Sequence, residues 1–175
     1  MILISNHLLS LPGFSIPADA VVRINMAWVP DAAAIGDAIT RAGTHDVFLD
    51  YPQGRTKPPA PAWTIDEAIE FVCKHSPKYF AVSNVETVGN AQVIDRMLPD
   101  GTMFVPKIES LMGVMNLPAI LEEVDTDTIM LDTEDLFSGC AETKTFIAAV
   151  DAVHRICKQH NTKVLRLYGV VFSEA

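Results

Sequence analysis

Positive charge is in short supply in this chain: 13 lysines and arginines stand against 22 aspartates and glutamates, a formal charge of −9 over 175 residues. That balance argues against a general nucleic-acid binder, because phosphate contacts need clustered Lys and Arg. Cysteine is scarcer still. Cys73, Cys140 and Cys157 are odd in number, widely spaced and without a CxxC. They suit reduced thiols in a cytoplasmic protein better than a disulfide framework or a zinc site. No apolar run approaches the roughly 18–20 residues of a membrane helix. The opening MILISNHLL lacks a positively charged n-region and a small-residue cleavage site, so neither a signal peptide nor a membrane partner is expected. GxxxxGK[ST], GxGxxG and GxSxG are all missing, which leaves P-loop, Rossmann and hydrolase-elbow chemistries without support. The five histidines show no HExxH or other ligand spacing and read as solvated or capping groups.

What the chain does have is apolar content, 49%, with only 20% charged residues, the composition of one compact domain over 1–175. Seven strand-like runs occur at 1–5, 21–25, 47–51, 79–83, 103–109, 128–132 and 163–172, each rich in residues that suit a pleated, buried surface. Helical patterns separate most of them. Asp31 is placed to cap AAAIGDAITRAG, and Thr64 with Glu67 forms a capping-box pattern before AIEFVCKH. GNAQVIDRML, LMGVMNLPAILEEV and ETKTFIAAVDAVHRICKQH complete the helices, while the prolines of 6–20 leave room for little regular helix. Within the helices, Met112, Met115 and Ile120 read as a core stripe, and Cys73 and Cys157 as buried small hydrophobes. Strand–helix alternation implies parallel strands with helical crossovers. The expected fold is an α/β, TIM-type (β/α) barrel of about seven strands, incomplete because a full eightfold barrel takes about 200–250 residues. The seam left open would expose strand edges. Coverage by the segment 6–20 or by a second subunit is expected, with a homodimer favoured.

Polar residues gather at the C-terminal ends of these runs: Arg23 and Asn25, Asp50, Ser83 and Asn84, Lys107 and Glu109, then Asp132, Glu134 and Asp135. In parallel α/β folds that rim builds the active site. Alternation places Arg23 with Asn25, and Lys107 with Glu109, on the inner face, with Ile24 and Ile108 toward the helices. Charges buried there cost several kcal/mol unless they pair or bind something. Internal Arg23–Asp50 and Lys107–Glu109 ion pairs are one outcome, and a ligand site is the other. Glu109 with the acidic cluster at 132–135 suits a hard divalent cation such as Mg²⁺. Alternation alone leaves open whether Asp132 or Asp135 ligates.

The stretch PKIESLMGVMNLPAILEEVDTDTIMLDTEDL (106–136) resembles the phosphoenolpyruvate/pyruvate domain superfamily, which includes pyruvate kinase, the HpcH/HpaI aldolases and the citrate lyase β-subunit family. It follows the pattern KIE-x3-G-x2-N-x3-I and then IM-x4-DL, while VVRIN, VFLDYPQGR and YFAVSNVET resemble earlier strands of the pyruvate kinase barrel in the same order. The resemblance implies that Glu109 and Asp135 hold Mg²⁺ or Mn²⁺. By the same resemblance Lys107 stands beside the substrate and Arg23 helps to bind an anionic one. Asn25, Asp50 and Ser83 match polar positions lining that site, and Arg55 sits near a second family arginine. The chain also departs from pyruvate kinase. GRTKPPAPAW (54–63) runs directly into the next helix where the kinase has a lid domain, the kinase's C-terminal domain is absent, and TEDLF replaces its RGDLG turn. The expectation is therefore an enzyme, a metal-dependent carbon–carbon lyase or aldolase acting on a small anionic 2-oxo acid. A pyruvate kinase-like phosphotransferase and a non-catalytic, shortened binding or assembly module are the alternatives.

Overall fold

The computed structural model describes residues 1–166. Its frame is one parallel sheet of seven strands in sequence order: β1 (Ile2–Ser5), β2 (Ala20–Asn25), β3 (Val47–Tyr51), β4 (Tyr79–Val82), β5 (Met103–Ile108), β6 (Thr128–Leu131) and β7 (Lys163–Arg166). The sheet curls into an incomplete (β/α) barrel, as expected. The remainder of the predicted 163–172 strand lies outside the described residues. Crossovers are α1 (Ala32–Ala42), α2 (Ile65–His75), α3 (Val88–Met97), α4 (Leu111–Glu123), the short α5 (Thr133–Ser138) and α6 (Thr143–Gln159). No helix among the described residues is long and apolar enough to cross a membrane.

Local chemistry sets the helix ends. The Asp31 carboxylate accepts from the Ala34 N–H, and α1 closes at Gly43, whose φ of +64° suits glycine. At α2 the capping box is complete: Thr64 Oγ1 accepts from Glu67 N, and the Glu67 carboxylate accepts from Thr64 N at 2.8 Å. Between β1 and β2 only a 3-10 turn forms, over Asn6–Ser10.

Strand alternation sorts the core into layers. Val21, Phe48, Ala81 and Val105, with Leu3, Met130 and Leu165, fill the barrel interior. The alternate residues, Ile24, Leu49, Phe80 and Phe104 among them, pack outward against α1 and α2 through Ile35, Ile69 and Val72. Ile108, Ile129 and Leu131 meet Leu117, Val153 and Ile156 from α4 and α6. Ile24 and Ile108 thus face the helices, and the next inward position along each strand is left to the polar rim.

Three expectations are corrected. Met112 and Met115 are exposed, Met115 to 74%, because Val114, Leu117 and Ile120 already form the buried face of α4. Cys73 is exposed on α2, whereas Cys157 is buried. Residues 6–20 do not span the seam between β1 and β7. Their apolar Leu8, Leu9 and Ile16, each partly buried, pack against the outer core. The seam instead borders a cavity of about 570 Å³ with Ile2 and Leu3 on one side and Val164 and Leu165 on the other.

Candidate active site

Of the residues singled out from the sequence, Arg23, Asn25, Asp50, Arg55, Ser83, Asn84, Lys107, Glu109, Asp132 and Asp135 line one cavity of about 250 Å³ at the C-terminal mouth of the barrel, and Glu134 does not. The register explains the convergence. Asn25 pairs with Asp50 across β2 and β3, Asp50 with Ala81 across β3 and β4, and Lys107 with Met130 across β5 and β6. Asp50 is thus in register with the apolar Ala81 and, through it, Val105, and Lys107 with Met130. The strand stagger of a barrel brings the next inward positions, Ser83, Lys107 and Glu109, to the mouth beside Asp50.

At the bottom lies a buried ionic network. Asp50 is 1%, Lys107 5% and Glu109 7% exposed. The Lys107 ammonium donates to Ser83 Oγ at 2.9 Å and lies 3.0 Å from Glu109 Oε1 and 3.3 Å from Asp50 Oδ1. Arg23 grips Asp50 Oδ2 with Nε at 2.9 Å and also with Nη2. The Asn84 N–H donates to Glu109 Oε2 at 2.8 Å, with Asn84 in the left-handed region at φ +53°. Both internal ion pairs anticipated from the sequence are therefore present, linked through Lys107. Hydrogen bonds to every charge are what let such a network persist away from water.

Charge states follow from these contacts. Burial acts to raise the Asp50 pKa, but the Lys107 and Arg23 charges outweigh it and hold the carboxyl below its ordinary value. Burial acts to lower Lys107, and Asp50 and Glu109 outweigh it, so the ammonium is held more firmly protonated than usual. Glu109 goes the other way: burial raises it, against the opposing pull of Lys107 and the Asn84 N–H.

Above this floor, three carboxylates converge. One oxygen each from Glu109, Asp132 and Asp135 lies within 4.8 Å of the others. Asp132 caps α5, its Oδ1 accepting from the N–H groups of Glu134 at 3.1 Å and Asp135 at 3.2 Å. Asp135 sits in the first turn of α5 and is ion-paired with Lys57. An all-oxygen carboxylate set at this spacing fits a hard divalent cation such as Mg²⁺ or Mn²⁺ by donor chemistry, and Glu109, Asp132 and Asp135 are the residues that could hold it.

Two residues placed here from sequence are turned partly to structural work. Asn25 Oδ1 accepts from Ala27 N at 3.0 Å, capping the turn after β2. Arg55 donates to the carbonyls of Pro59 at 3.1 Å and Pro58 at 2.7 Å, and its guanidinium stands 5.9 Å from the Trp28 ring centre. It braces the loop between β3 and α2. Lys57 was not singled out from the sequence. The signal available was its place, beside Arg55, in the loop that follows Asp50.

No family model and no curated protein matches this chain. Solved structures do. A HpcH/HpaI aldolase/citrate lyase family protein from Burkholderia cenocepacia J2315 superposes with a TM-score of 0.69 at 14% identity, over 94% of this chain and 77% of that one. RipC from Yersinia pestis gives 0.64 at 15% identity, over 94% and 73%. Citrate synthase SbnG gives 0.65 at 16% identity, over 85% and 68%. The seven-stranded sheet thus has the fold of these structures, among them a HpcH/HpaI aldolase/citrate lyase family protein, the group that the 106–136 motif resembles.

Proposed function

We propose that this chain is a divalent-cation-dependent carbon–carbon lyase of the aldolase kind, acting on a small 2-oxo acid such as a pyruvate- or oxaloacetate-like unit. The observation that carries the reading is the convergence of Glu109, Asp132 and Asp135 within 4.8 Å at the barrel mouth, directly above a buried lysine. When bound, Mg²⁺ or Mn²⁺ supplies Lewis acidity toward the oxo and carboxylate oxygens, where charge develops as the carbon–carbon bond breaks. Arg23 commits Nε and Nη2 to Asp50 and retains Nη1 to clamp a substrate carboxylate. Asp50 fixes the orientation of both Arg23 and Lys107. Lys107, held protonated by its two carboxylate neighbours, suits electrostatic support of the developing charge rather than the role of a base.

The test is deuterium incorporation into the methyl group of pyruvate, followed by NMR with and without Mn²⁺. Wild-type protein is expected to catalyse metal-dependent exchange, and Glu109→Gln and Asp135→Asn to abolish it. Folded, Mn²⁺-loaded protein that gives no exchange would sink pyruvate enolisation. A second reading has an observation of its own: Arg23, Lys107 and Lys57 are all paired internally, as in a shortened relative that serves as a binding module. That reading requires Mn²⁺ affinity to be the same in Glu109→Gln and Asp135→Asn as in wild type.

A further inference from the structure

The bond between Lys57 and Asp135 places an ammonium where the proposed reaction needs a metal. Lys57 lies on the loop between β3 and α2, 78 positions from its partner, and the contact joins that loop to the first turn of α5. An ammonium and a divalent cation cannot both sit against the same carboxylate cluster without strong repulsion. Binding of one therefore displaces the other.

Lys57 is also the cation most easily displaced. Arg23 is doubly bonded to an almost fully buried Asp50. Lys107 has three buried partners, and Arg55 is held by two carbonyls of its own loop. Lys57 makes its ion pair with a side chain that is 64% exposed, where such pairs are weak. The cavity walls carry Arg23, Arg55, Lys57 and Lys107 against Asp50, Glu109, Asp132 and Asp135, a balanced set. A divalent cation tips that balance positive, and the freed ammonium is the mobile part of the surplus.

We propose that Lys57 is an exchangeable counter-ion that couples the two ligands of this site: a divalent cation on the carboxylates releases its ammonium from Asp135, and the ammonium then takes a carboxylate of the bound acid. The proposal rests on the reading of Glu109, Asp132 and Asp135 as a cation site. Linkage makes the coupling reciprocal, so the anion tightens the cation by the same factor as the cation tightens the anion. Lys57 is then a substrate-positioning group that acts only after the metal has arrived.

Mn²⁺ titrations of the full chain, read by electron paramagnetic resonance with and without oxalate, test this. Without oxalate, Lys57→Ala is expected to bind Mn²⁺ about two- to fivefold more tightly than wild type, because a weak exposed competitor is gone. The factor by which oxalate tightens Mn²⁺ is expected to fall about tenfold, the loss of one charge-assisted bond. Lys74→Ala, which removes the same charge from α2, is expected to change neither. Mn²⁺ binding seen only in Lys57→Ala also supports the proposal. Equal or weaker Mn²⁺ binding by Lys57→Ala, or an unchanged oxalate effect, overturns it. The proposed function survives that result if Glu109→Gln still abolishes Mn²⁺ binding. Absence of Mn²⁺ binding in both wild type and Lys57→Ala overturns the two together.

Discussion

Among single residues, Asp50 carries the largest electrostatic responsibility. It is buried between Arg23 and Lys107, so Asp50→Asn leaves two cations short of a partner. A loss of about 3–5 kcal/mol in urea unfolding is expected at pH 7. The pH dependence follows from the direction of its shift. The folded-state pKa lies below the ordinary value of 3.8, so between the two values the unfolded chain binds the extra proton and stability rises with pH. Asp50 therefore stabilises the fold fully above about pH 4 and progressively less as the pH falls through its folded pKa. Asp50→Asn should flatten the acid limb of a stability–pH profile, and an unchanged limb would assign it to other groups. The cysteines make a second residue-level contrast. Cys157 is buried on α6 and its thiol is pushed up to about 11, while Cys73 is exposed. Iodoacetamide at pH 8 is expected to label Cys73 within minutes and Cys157 only on unfolding, as read by mass spectrometry of the peptides.

Within single elements, α2 depends on its cap. Thr64→Ala removes the acceptor for Glu67 N and half of the reciprocal box, and should lower stability by about 1 kcal/mol. Mn²⁺ affinity should stay unaltered, since the cap lies outside the carboxylate cluster. A larger loss in urea unfolding would mean that Thr64 also anchors the loop before it. The elements also show what could be read in advance. The ends of α1 and α2 were legible because Asp31, Gly43, Thr64 and Glu67 act over three or four positions. Arg23, Asp50, Lys107 and Glu109 were legible because strand alternation is local and the barrel repeats it. Met112 and Met115 misled, since apolar type alone does not say which face of α4 is already filled by Val114 and Leu117. Helix α5 spans only six residues, less than two turns, and shows no period. The partnership of Lys57 with Asp135 depends on how the loop from β3 crosses the barrel mouth, which no local pattern encodes.

For the molecule as a whole, the outer strands of the described sheet motivate a proposal about assembly. β1 and β7 each have one paired neighbour in the described sheet, and their outer edges border the apolar seam cavity. Exposed strand edges beside apolar surface favour association. We propose a homodimer on that ground, and light scattering on a sizing column should then report twice the chain mass across a dilution series. A monodisperse monomer at micromolar concentration would overturn that expectation.

The sequential strand order carries a kinetic consequence. Among the described residues every strand pairing joins neighbours in the chain, and the widest register separation is the 35 residues from Thr128 to Lys163. A closed barrel adds a first-to-last pairing that must wait for nearly the whole chain. Among the described residues that pairing has no counterpart, and contacts of short sequence separation fold faster because less loop entropy is lost before each forms. Each βα unit can dock on the one made just before it, so ordering can keep pace with synthesis from the N-terminus.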